Sequence, residues 1–478
     1  MCANKRNAEE VFKKIPSVDA NTVNELYEKE LKNLDKKIIV LDDDPTGVQT
    51  VNNISVYTDW SLDSIQKGFQ EENPMFFILT NSRGFTAAKT ETVHREIALN
   101  IIEAAKQNNR DFTIISRGDS TLRGHYPLET QVLKDTIEAN SDTRFDGEVL
   151  LPFFKEGGRF TIDDIHYVQD EAQLIPAGET EFAKDRTFGY SKSHLGEYAE
   201  EKSNGQYKAD KMVYITLEDL RALDIDGIEQ QLLQVKDFNK VIVNAVDYID
   251  VKIFTIALIR AMGKKKNFMF RSAAALTKIM GGVADKALLT REELVSEDNE
   301  NGGLVIIGSH VKKTTEQLKA LQDLDSVHFI EFNVHLVLEP EKFEAELDRV
   351  IDTTNQLIRE GENVTVYTKR ERLDLGENKK EEELQLSVKI SDSVTSIVKR
   401  LDVKPSFIIA KGGITSSDIG TNGLEVQRAT VAGQIRPGIP VWTTGNESKF
   451  PGLPYIIFPG NVGSKTDLKE IVSMLSQR

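Results

Sequence analysis

The feature that most constrains the fold of this chain is the alternation of short apolar runs with longer amphipathic stretches. Apolar runs of strand length predict strands over 37–41, 75–79, 112–116, 148–151, 212–215, 241–244 and 268–270. Between them lie segments in which residues such as Val93, Ile97 and Ile101 recur at helical spacing. Strands that alternate with helices predict a mostly parallel sheet that is covered by helices on both faces.

The second half of the chain repeats this pattern. Strands are predicted over 304–307, 327–331, 364–367, 407–410, 441–443 and 455–458, and the polar stretch 295–303 is typical of a linker. The sequence therefore predicts an α/β protein with two α/β domains, each with a mostly parallel sheet flanked by helices. We expect the active site in the cleft between these domains, and the predicted boundaries are a helical N-terminal extension over 1–35, a first domain over 36–296 and a second over 303–478.

Three consecutive carboxylates, Asp42, Asp43 and Asp44, follow the first buried strand. Ligands of open α/β sheets bind outside the carboxyl ends of the strands, so these acids are expected to face a binding crevice. Adjacent carboxylates repel one another, and this cost is tolerated where a cation, a hydroxyl donor or a proton transfer uses them. The structural alternative is that one Asp caps a turn while the others are solvated.

Arginines follow the next two predicted strands in segments that are rich in hydroxyl groups. They are Arg83, Arg117 and Arg123, and Asp119 adds an acid to the same edge. Arginine binds carboxylates through two parallel hydrogen bonds, so this edge is predicted to hold an anionic substrate in a fixed orientation. Arg159, which follows two glycines in a later turn, would add charge there. The alternative is that these arginines pair with local acids at the surface.

Three small-residue turns follow predicted strands of the second half and favour phosphate binding. Such turns expose backbone amides, and the first leads into a helix whose N-terminus attracts anions. The lysine-anchored P-loop pattern is missing from this half. The residues predicted to hold a nucleotide are Ser309, Gly412, Gly413, Ile414, Thr415, Gly460, Asn461 and Gly463.

With these segments in view, the chain resembles the four-carbon acid sugar kinase family from about Ile38 to its C-terminus. The segments that carry the resemblance are Asp43-Asp44-Pro45-Thr46-Gly47, Asn81-Ser82-Arg83, Asp119-Ser120-Thr121-Leu122-Arg123-Gly124, Gly158-Arg159, Gly308-Ser309, Gly412-Gly413-Ile414-Thr415-Ser416 and Gly460-Asn461-Val462-Gly463. The chain departs from the family pattern at Asp42, where a small residue is common, at Pro45, at Val311 in place of Ser, and at Ile414 where Glu is frequent.

The resemblance implies an ATP-dependent kinase that phosphorylates a hydroxyl of a four-carbon acid sugar of the threonate, erythronate or 3-oxo-tetronate type. It implies ATP and Mg²⁺ as cofactors, with the sugar acid bound by the first domain and ATP by the second. On this basis Asp43 and Asp119 are the candidate catalytic residues, and no metal ligand is assigned. The candidate substrate-binding residues are Asp44, Thr46, Asn81, Ser82, Arg83, Ser120, Arg123 and Arg159.

Two other functions stay open at this point. Asp42, Asp44 and Thr46 after an apolar strand also fit the Asp-x-Asp-x-Thr signature of haloacid-dehalogenase-like phosphohydrolases, in which Asp42 would be the nucleophile. The departures at Val311 and Ile414 instead fit a catalytically degenerate relative that binds ATP or a sugar acid without turnover.

Charge and cysteine content limit the kinds of partner and of covalent or metal cross-link that this chain can have. The acids that give the net charge of −16 are spread along the chain, so no basic face for nucleic acid is predicted. A single cysteine, Cys2, rules out a disulfide framework and a multi-cysteine metal site. No apolar run approaches the ~20 residues that span a bilayer, so we expect a cytoplasmic protein that binds no membrane. The expected partners are a sugar acid and ATP, and a homodimer is left open.

Overall fold

The computed structural model of this chain describes residues 5–371, 380–460 and 462–477. The chain forms two compact units, of which the first contains Met1–Val51 and Asp59–Asp285 and the second contains Asn52–Thr58 and Lys286–Arg478. The division at Asp285 precedes the predicted linker at 295–303, because Leu289 and Val295 are buried in the hydrophobic core of the second unit.

The strands and helices cover most of the described residues. The strands, in chain order, are β1 (Arg6–Asn7), β2 (Lys37–Asp42), β3 (Ser55–Tyr57), β4 (Met75–Leu79), β5 (Phe112–Arg117), β6 (Gly147–Leu151), β7 (Arg159–Ile162), β8 (Ile165–Asp170), β9 (Gln173–Pro176), β10 (Val213–Ile215), β11 (Asn239–Val243), β12 (Phe268–Ser272), β13 (Leu304–Ile307), β14 (Val327–Phe332), β15 (Asn363–Thr368), β16 (Ile408–Lys411), β17 (Arg428–Arg436), β18 (Ile439–Thr444) and β19 (Pro454–Phe458). The helices are α1 (Ala8–Phe12), α2 (Ala20–Leu31), α3 (Leu62–Gln70), α4 (Ala87–Asn108), α5 (Leu128–Asn140), α6 (Leu195–Lys202), α7 (Leu217–Arg221), α8 (Ile225–Gln234), α9 (Tyr248–Gly263), α10 (Ala274–Met280), α11 (Arg291–Leu294), α12 (Lys312–Leu321), α13 (Pro340–Arg359), α14 (Lys380–Lys399), α15 (Gly413–Asp418) and α16 (Asp467–Leu475).

The main sheet of the first unit is parallel throughout. Its strands lie in the order β10-β11-β6-β12-β5-β2-β4, and each neighbouring pair is parallel. Strand β2, which lies between β5 and β4, is buried along its whole length, as its apolar residues require. Asp42 at its end is in register with Leu79 on one side and Arg117 on the other. The segments that follow β2, β4 and β5 therefore begin at the same edge of the sheet.

A second, four-stranded sheet in the first unit has the order β1-β9-β8-β7 and is antiparallel. The N-terminal segment was expected to be a helical extension, and it does form α1 and α2. It also contributes β1, which pairs with β9, and Tyr27 of α2 donates a hydrogen bond to the carbonyl of Ile279. The segment is therefore packed into the first unit.

The second unit has a mixed sheet with the order β3-β17-β18-β19-β16-β13-β15-β14. The strands from β19 to β14 are parallel, whereas β3, β17, β18 and β19 pair antiparallel. Helices α12 and α16 pack on the sheet through Leu318, Leu321, Leu468 and Ile471. The three predicted small-residue turns follow β13, β16 and β19, so all three leave the parallel part of the sheet at its carboxyl edge.

The predicted fold class is confirmed: the protein is α/β, with two domains and mostly parallel sheets flanked by helices. Across the described residues, none of the helices combines the length and the apolar character needed to span a membrane. The location of the active site in a cleft between the domains stays a prediction.

Candidate active site

Asp42 lies beneath the turn that follows β2. Its side chain accepts hydrogen bonds from Arg117 Nη1 at 3.4 Å and from the backbone N–H of Asp44. A Cβ added to Gly47 would lie 1.8 Å from Asp42 Oδ2, so glycine is required where this turn closes over the carboxylate. Asp42 is 1% exposed, and burial raises its pKa to about 7. A carboxylate that is buried beneath its own turn and bonded to Arg117 is poorly suited to be a phosphohydrolase nucleophile.

Arg83 holds the other two acids of this segment. Its guanidinium donates two hydrogen bonds to Asp43, from Nη2 at 2.6 Å and from Nε at 3.2 Å, and a third to Asp44 at 3.1 Å. Burial raises the pKa of Asp43, although Arg83 opposes the change. Burial acts on Asp44 in the same direction, but Arg83 and the Thr46 hydroxyl outweigh it, and the pKa of Asp44 is lowered. Adjacent carboxylates therefore differ in proton affinity.

The loop over 118–124 brings Asp119 to this edge. Asp119 Oδ2 accepts hydrogen bonds from Arg123 Nε at 2.6 Å and from the hydroxyl of Thr121. Burial alone would raise the pKa of Asp119, but the nearby Arg123 and Arg83 hold it well below the usual range. The electrostatic influence of Asp119 on Arg83 joins this loop to the Asp43 pair, so Asp43, Asp119 and their two arginines form one cluster.

Two glycines of the same loop are needed because Arg271 of β12 passes close to them. A Cβ would lie 2.4 Å from Arg271 Nη2 at Gly118 and 2.6 Å from it at Gly124. Gly124 also has a φ of +129°, which other residues rarely adopt. Its added Cβ would be 3.2 Å from Asp43 Oδ2. The glycines therefore let the loop approach both Arg271 and Asp43.

A set of buried side chains fixes the backbone of this loop. His166 of β8 donates a hydrogen bond from Nε2 to the carbonyl of Ser120 at 2.8 Å. Its Nδ1 accepts a hydrogen bond from the hydroxyl of Thr161. Burial lowers the pKa of His166 to about 4, so the ring is neutral near pH 7. The hydroxyls of Tyr190 and Tyr198 donate to the carbonyls that follow, those of Thr121 at 2.7 Å and Leu122 at 2.9 Å. The antiparallel sheet and α6 thus position Asp119.

Glu129 also belongs to this cluster, although it lies outside the sequence motifs. It is buried in the first turn of α5, accepts the hydroxyl of Ser82 at 2.6 Å and forms an ion pair with Arg271. Burial alone would raise its pKa, but Arg271 and His94 lower it to about 2. A signal was present in the sequence, because Glu129 lies on the apolar face of a predictable amphipathic helix. An acid at such a position is unusual unless it has a partner.

Arg159 differs from the other arginines of the site. It lies near Asp119 and Arg123, and its guanidinium carbon is 5.8 Å from the ring centre of Phe182. Its Nε is buried without a hydrogen-bond partner, and its guanidinium forms no ion pair in the part of the chain that the structure describes. Asn81, which begins the turn before Arg83, is in the left-handed region with a φ of 55°. Among the described residues Arg159 is thus unpaired, whereas Arg83 and Arg123 are already paired with acids.

The second unit brings its three turns together. We call them the first glycine loop (308–311), the second glycine loop (412–415) and the third glycine loop (Pro459, Gly460, Val462 and Gly463). A Cβ on Gly308 would lie 2.5 Å from Thr415 Oγ1, and one on Gly412 would lie 3.0 Å from Ser309 Cβ. One on Gly460 would lie 3.5 Å from Ser309 Oγ. All three loops therefore meet around Ser309, and the close approach of the first two requires glycine at Gly308 and Gly412.

The remaining predicted nucleotide residues fall on or near these loops. Gly413 is the first residue of α15, and Ile414 beside it is 73% exposed. Val311, the other departure from the family pattern, is 48% exposed at the start of α12. Asn461 lies outside the described residues. The two departures are therefore exposed apolar side chains, which neither fill a core nor close the loops.

The geometry of the glycine loops fits a polyphosphate. Small residues leave backbone amides accessible, and the loop after β13 leads into the N-terminus of α12. Over residues 5–371, 380–460 and 462–477, no group of three or more His, Cys, Asp or Glu side chains is arranged to hold a metal ion. Magnesium is commonly held by one or two carboxylates together with the phosphates of a nucleotide, so such a prearranged group is not required.

Comparison with known proteins agrees with this division. Residues 38–280 match a family model described as a sugar-binding N-terminal domain, and residues 304–468 match one described as a nucleotide-binding C-terminal domain. The fold and the two sites thus define a two-domain α/β protein with a sugar-binding and a nucleotide-binding domain. The chain belongs to the four-carbon acid sugar kinase family, which has this architecture.

Solved structures share the fold. A Salmonella typhimurium LT2 protein, described provisionally as a tRNA synthase, has a TM-score of 0.67 and 16% identity, with 91% of this chain and 98% of that chain covered. The Haemophilus influenzae protein HI1011 has a TM-score of 0.59 and 16% identity, with 91% of this chain and all of that chain covered. At this identity the likeness shows the fold alone. No curated protein matches the chain.

Proposed function

We propose that this protein is an ATP-dependent kinase that phosphorylates a hydroxyl of a four-carbon acid sugar of the threonate, erythronate or 3-oxo-tetronate type. The observation that carries the proposal is the arrangement of charge in the first unit. Asp43 and Asp119 each have their own arginine, and Arg159 beside them has no partner. This arrangement suits a small acid that has both a carboxylate and hydroxyl groups.

In this proposal Arg159 binds the substrate carboxylate. Arg83 and Arg123 already form hydrogen bonds with Asp43 and Asp119, so their role is to position these acids. Arg159 has unused donors, and burial lowers its pKa, which makes an incoming carboxylate a favourable partner. Arg159, beside the ring of Phe182, then fixes the acid end of the substrate.

The acids differ in the roles that their proton affinities suit. The raised pKa of Asp43 makes it the better proton acceptor, and we assign it the proton of the attacking hydroxyl. Asp119 stays ionised and orients a substrate hydroxyl by accepting a hydrogen bond. Phosphoryl transfer depends mainly on positioning and on neutralisation of charge, so these groups suffice on the acceptor side.

The second unit holds the nucleotide in this proposal. Amides of the glycine loops and the hydroxyls of Ser309 and Thr415 bind the phosphates. Bound Mg²⁺ would neutralise part of the phosphate charge. The acceptor oxygen bonds to the terminal phosphorus as the bond to ADP breaks, and Asp43 takes the hydroxyl proton.

The test is ADP release by the full-length protein with ATP, Mg²⁺ and a panel of threonate, erythronate and 3-oxo-tetronate isomers. We expect one of these acids to stimulate ADP release and to yield a phosphorylated acid. Asp43→Asn should lower that turnover about 10²- to 10⁴-fold, whereas Asp63→Asn on the exposed face of α3 should leave it unchanged.

Two results would contradict the proposal. One is that no acid of the panel stimulates ADP release by a folded protein. The other is hydrolysis of p-nitrophenyl phosphate that is lost in Asp42→Asn and retained in Asp43→Asn, because that pattern belongs to an Asp42 nucleophile.

A further inference from the structure

Lys411 is a buried lysine at the end of β16, directly before the second glycine loop. It is 0% exposed, and its Nζ lies 3.9 Å from the ring centre of Phe458. Among the described residues its one hydrogen-bond acceptor is the carbonyl of Pro459, the first residue of the third glycine loop. An ammonium group has three donors, so two donors of Lys411 are unused between two loops of the candidate nucleotide site.

No carboxylate balances this group. In the described part of the chain Lys411 forms no ion pair, and the charged groups that face it are Lys313 of α12 and Asp467 of α16. Burial lowers the pKa of Lys411 to about 6; Lys313 lowers it further and Asp467 opposes the change. Asp467 is itself occupied by hydrogen bonds from the backbone and the hydroxyl of Ser464. The site is therefore short of negative charge.

A second cation at the same loops, Arg370, also has no carboxylate partner in the part of the chain that the structure describes. Arg370, two residues after β15, donates from Nη2 to the carbonyl of Ser309 at 2.6 Å and to Thr315 Oγ1 at 2.9 Å. Its Nε and Nη1 are buried and find no hydrogen-bond acceptor among residues 5–371, 380–460 and 462–477. Burial lowers the pKa of Arg370 as well. Buried N–H donors without acceptors are costly, and they are tolerated where a ligand supplies the acceptor.

The two other buried lysines of the described residues, Lys37 and Lys240, have different surroundings. Lys240 forms an ion pair with Glu148 at 2.7 Å. Lys37 also lacks a carboxylate in direct contact, but it donates to two carbonyls, those of Glu71 and Asn73, at the start of β2. Lys411 has one such carbonyl, and it belongs to a glycine loop. Lys37 therefore stabilises the backbone around it, whereas Lys411 has donors available for a ligand.

We propose that Lys411 and Arg370 bind the phosphates of the nucleotide, Lys411 from the end of β16 and Arg370 from the segment after β15. The inference rests on the proposed function, because it takes the nucleotide to bind in the second unit. Phosphate oxygens accept the unused N–H groups of both side chains. The negative charge restores the ammonium form of Lys411, which takes one proton from the solvent when the nucleotide binds.

The first experiment measures that proton. Full-length protein is titrated with ADP at pH 7.5 by calorimetry in two buffers of different ionisation enthalpy, HEPES and Tris. The dependence of the measured heat on the buffer gives the number of protons taken up. We expect close to one proton for the wild type and markedly less for Lys411→Met. Lys37→Met is the matched control, because it removes a buried lysine outside the site, and it should retain the uptake of the wild type.

The second experiment measures affinity. Lys411→Met and Arg370→Gln should each weaken ADP binding about 10- to 100-fold, which is typical for loss of a charge-assisted hydrogen bond. Because burial disfavours the ammonium form, Lys411→Met should melt no lower than the wild type. A loss of affinity in a variant with an unchanged melting temperature therefore reports on the ligand.

The outcomes separate this inference from the proposed function. If the wild type binds ADP without proton uptake and both variants bind within threefold of it, the role of the two cations is wrong while the nucleotide assignment stands. If the folded wild type binds neither ADP nor ATP, both are wrong.

Discussion

The acid–arginine cluster of the first unit and the glycine loops of the second unit differ in how charge is balanced. In the first unit Arg83, Arg123 and Arg271 each have a carboxylate partner, and only Arg159 among the arginines of that site lacks one. In the second unit Lys411 and Arg370 have none in the described part of the chain. A site for a small, weakly charged molecule is preorganised by internal ion pairs. In a site for a polyphosphate, the ligand itself can supply the negative charge that pairs with the cations.

This difference has consequences for stability. Removal of one partner from a buried ion pair leaves an uncompensated charge and destabilises the fold. Removal of a buried cation that has no partner takes away a desolvated charge, so it should affect ligand binding and leave the fold intact. The following predictions test this contrast in order of expected size.

The largest effect is expected for Glu129→Gln. The substitution leaves Arg271 buried beside a neutral group, and we expect the free energy of unfolding of the first unit to fall by about 3–5 kcal/mol. Chemical denaturation monitored by circular dichroism measures the change. Asp135→Asn, on the exposed side of the same helix, is the control and should change stability by less than about 1 kcal/mol. Equal stability of the two variants would contradict the claim that buried ion pairs stabilise the first unit.

The next effect concerns pH and His166. The pKa of this residue is about 4 in the folded protein and about 6.5 in the unfolded chain, so the unfolded chain binds the extra proton first. The contribution of neutral His166 to the free energy of unfolding is therefore fully present above pH 6.5, and it is lost as the pH falls toward 4. We expect it to amount to about 3 kcal/mol. His166→Gln should show a flatter decline over this range in denaturation experiments at several pH values, and an identical decline would contradict the prediction.

A smaller effect is expected for Arg159→Gln. Since this guanidinium has no partner to leave behind, the melting temperature should stay unchanged. The KM for the sugar acid should rise about 10- to 100-fold, and the KM for ATP should not change. Arg144→Gln, which removes an exposed arginine that bonds only carbonyls, should alter neither value. Loss of stability in Arg159→Gln would mean that this arginine is structural.

The smallest effect is expected where the chain departs from the family pattern. Ile414 is 73% exposed, so Ile414→Glu should change the free energy of unfolding by less than about 0.5 kcal/mol. The added charge lies beside the loops that we assign to phosphate, and we expect at most a threefold change in the KM for ATP. Steady-state kinetics and thermal melts check both values. A large gain of activity would instead show that Ile414 limits this protein.

Apolar runs in the sequence predicted the parallel strands well because most of these strands are buried along nearly their whole length. β4 and β13 have the predicted bounds, and α4 contains Val93, Ile97 and Ile101, whose spacing indicated a helix. β3 and the strands from β7 to β9 were not predicted. β3 is buried but has only three residues, and β7, β8 and β9 each contain residues that are only partly buried, so their patterns do not stand out from those of loops.

For the site, the motifs identified the groups at the strand ends but could not identify their partners. The fork of Arg83 on Asp43 and Asp44 joins residues from neighbouring strands, which the predicted sheet edge implied. The pairing of Glu129 with Arg271 depends on how α5 packs against β12, and no local pattern encodes that contact. Lys411 was visible as a lysine that ends an apolar strand, but its burial without a carboxylate required coordinates.

The central claim is that the first unit binds the sugar acid through a charge-balanced site and the second binds the nucleotide through a charge-deficient one. Hydrogen exchange of the full-length protein, measured by mass spectrometry with ADP alone and with the preferred four-carbon acid alone, tests it most directly. We expect ADP to protect the backbone amides around Ser309 and Gly412, and the acid to protect those around Asp119 and Arg159. Protection of the Asp119 loop by ADP alone, with no change at Gly412, would contradict the claim.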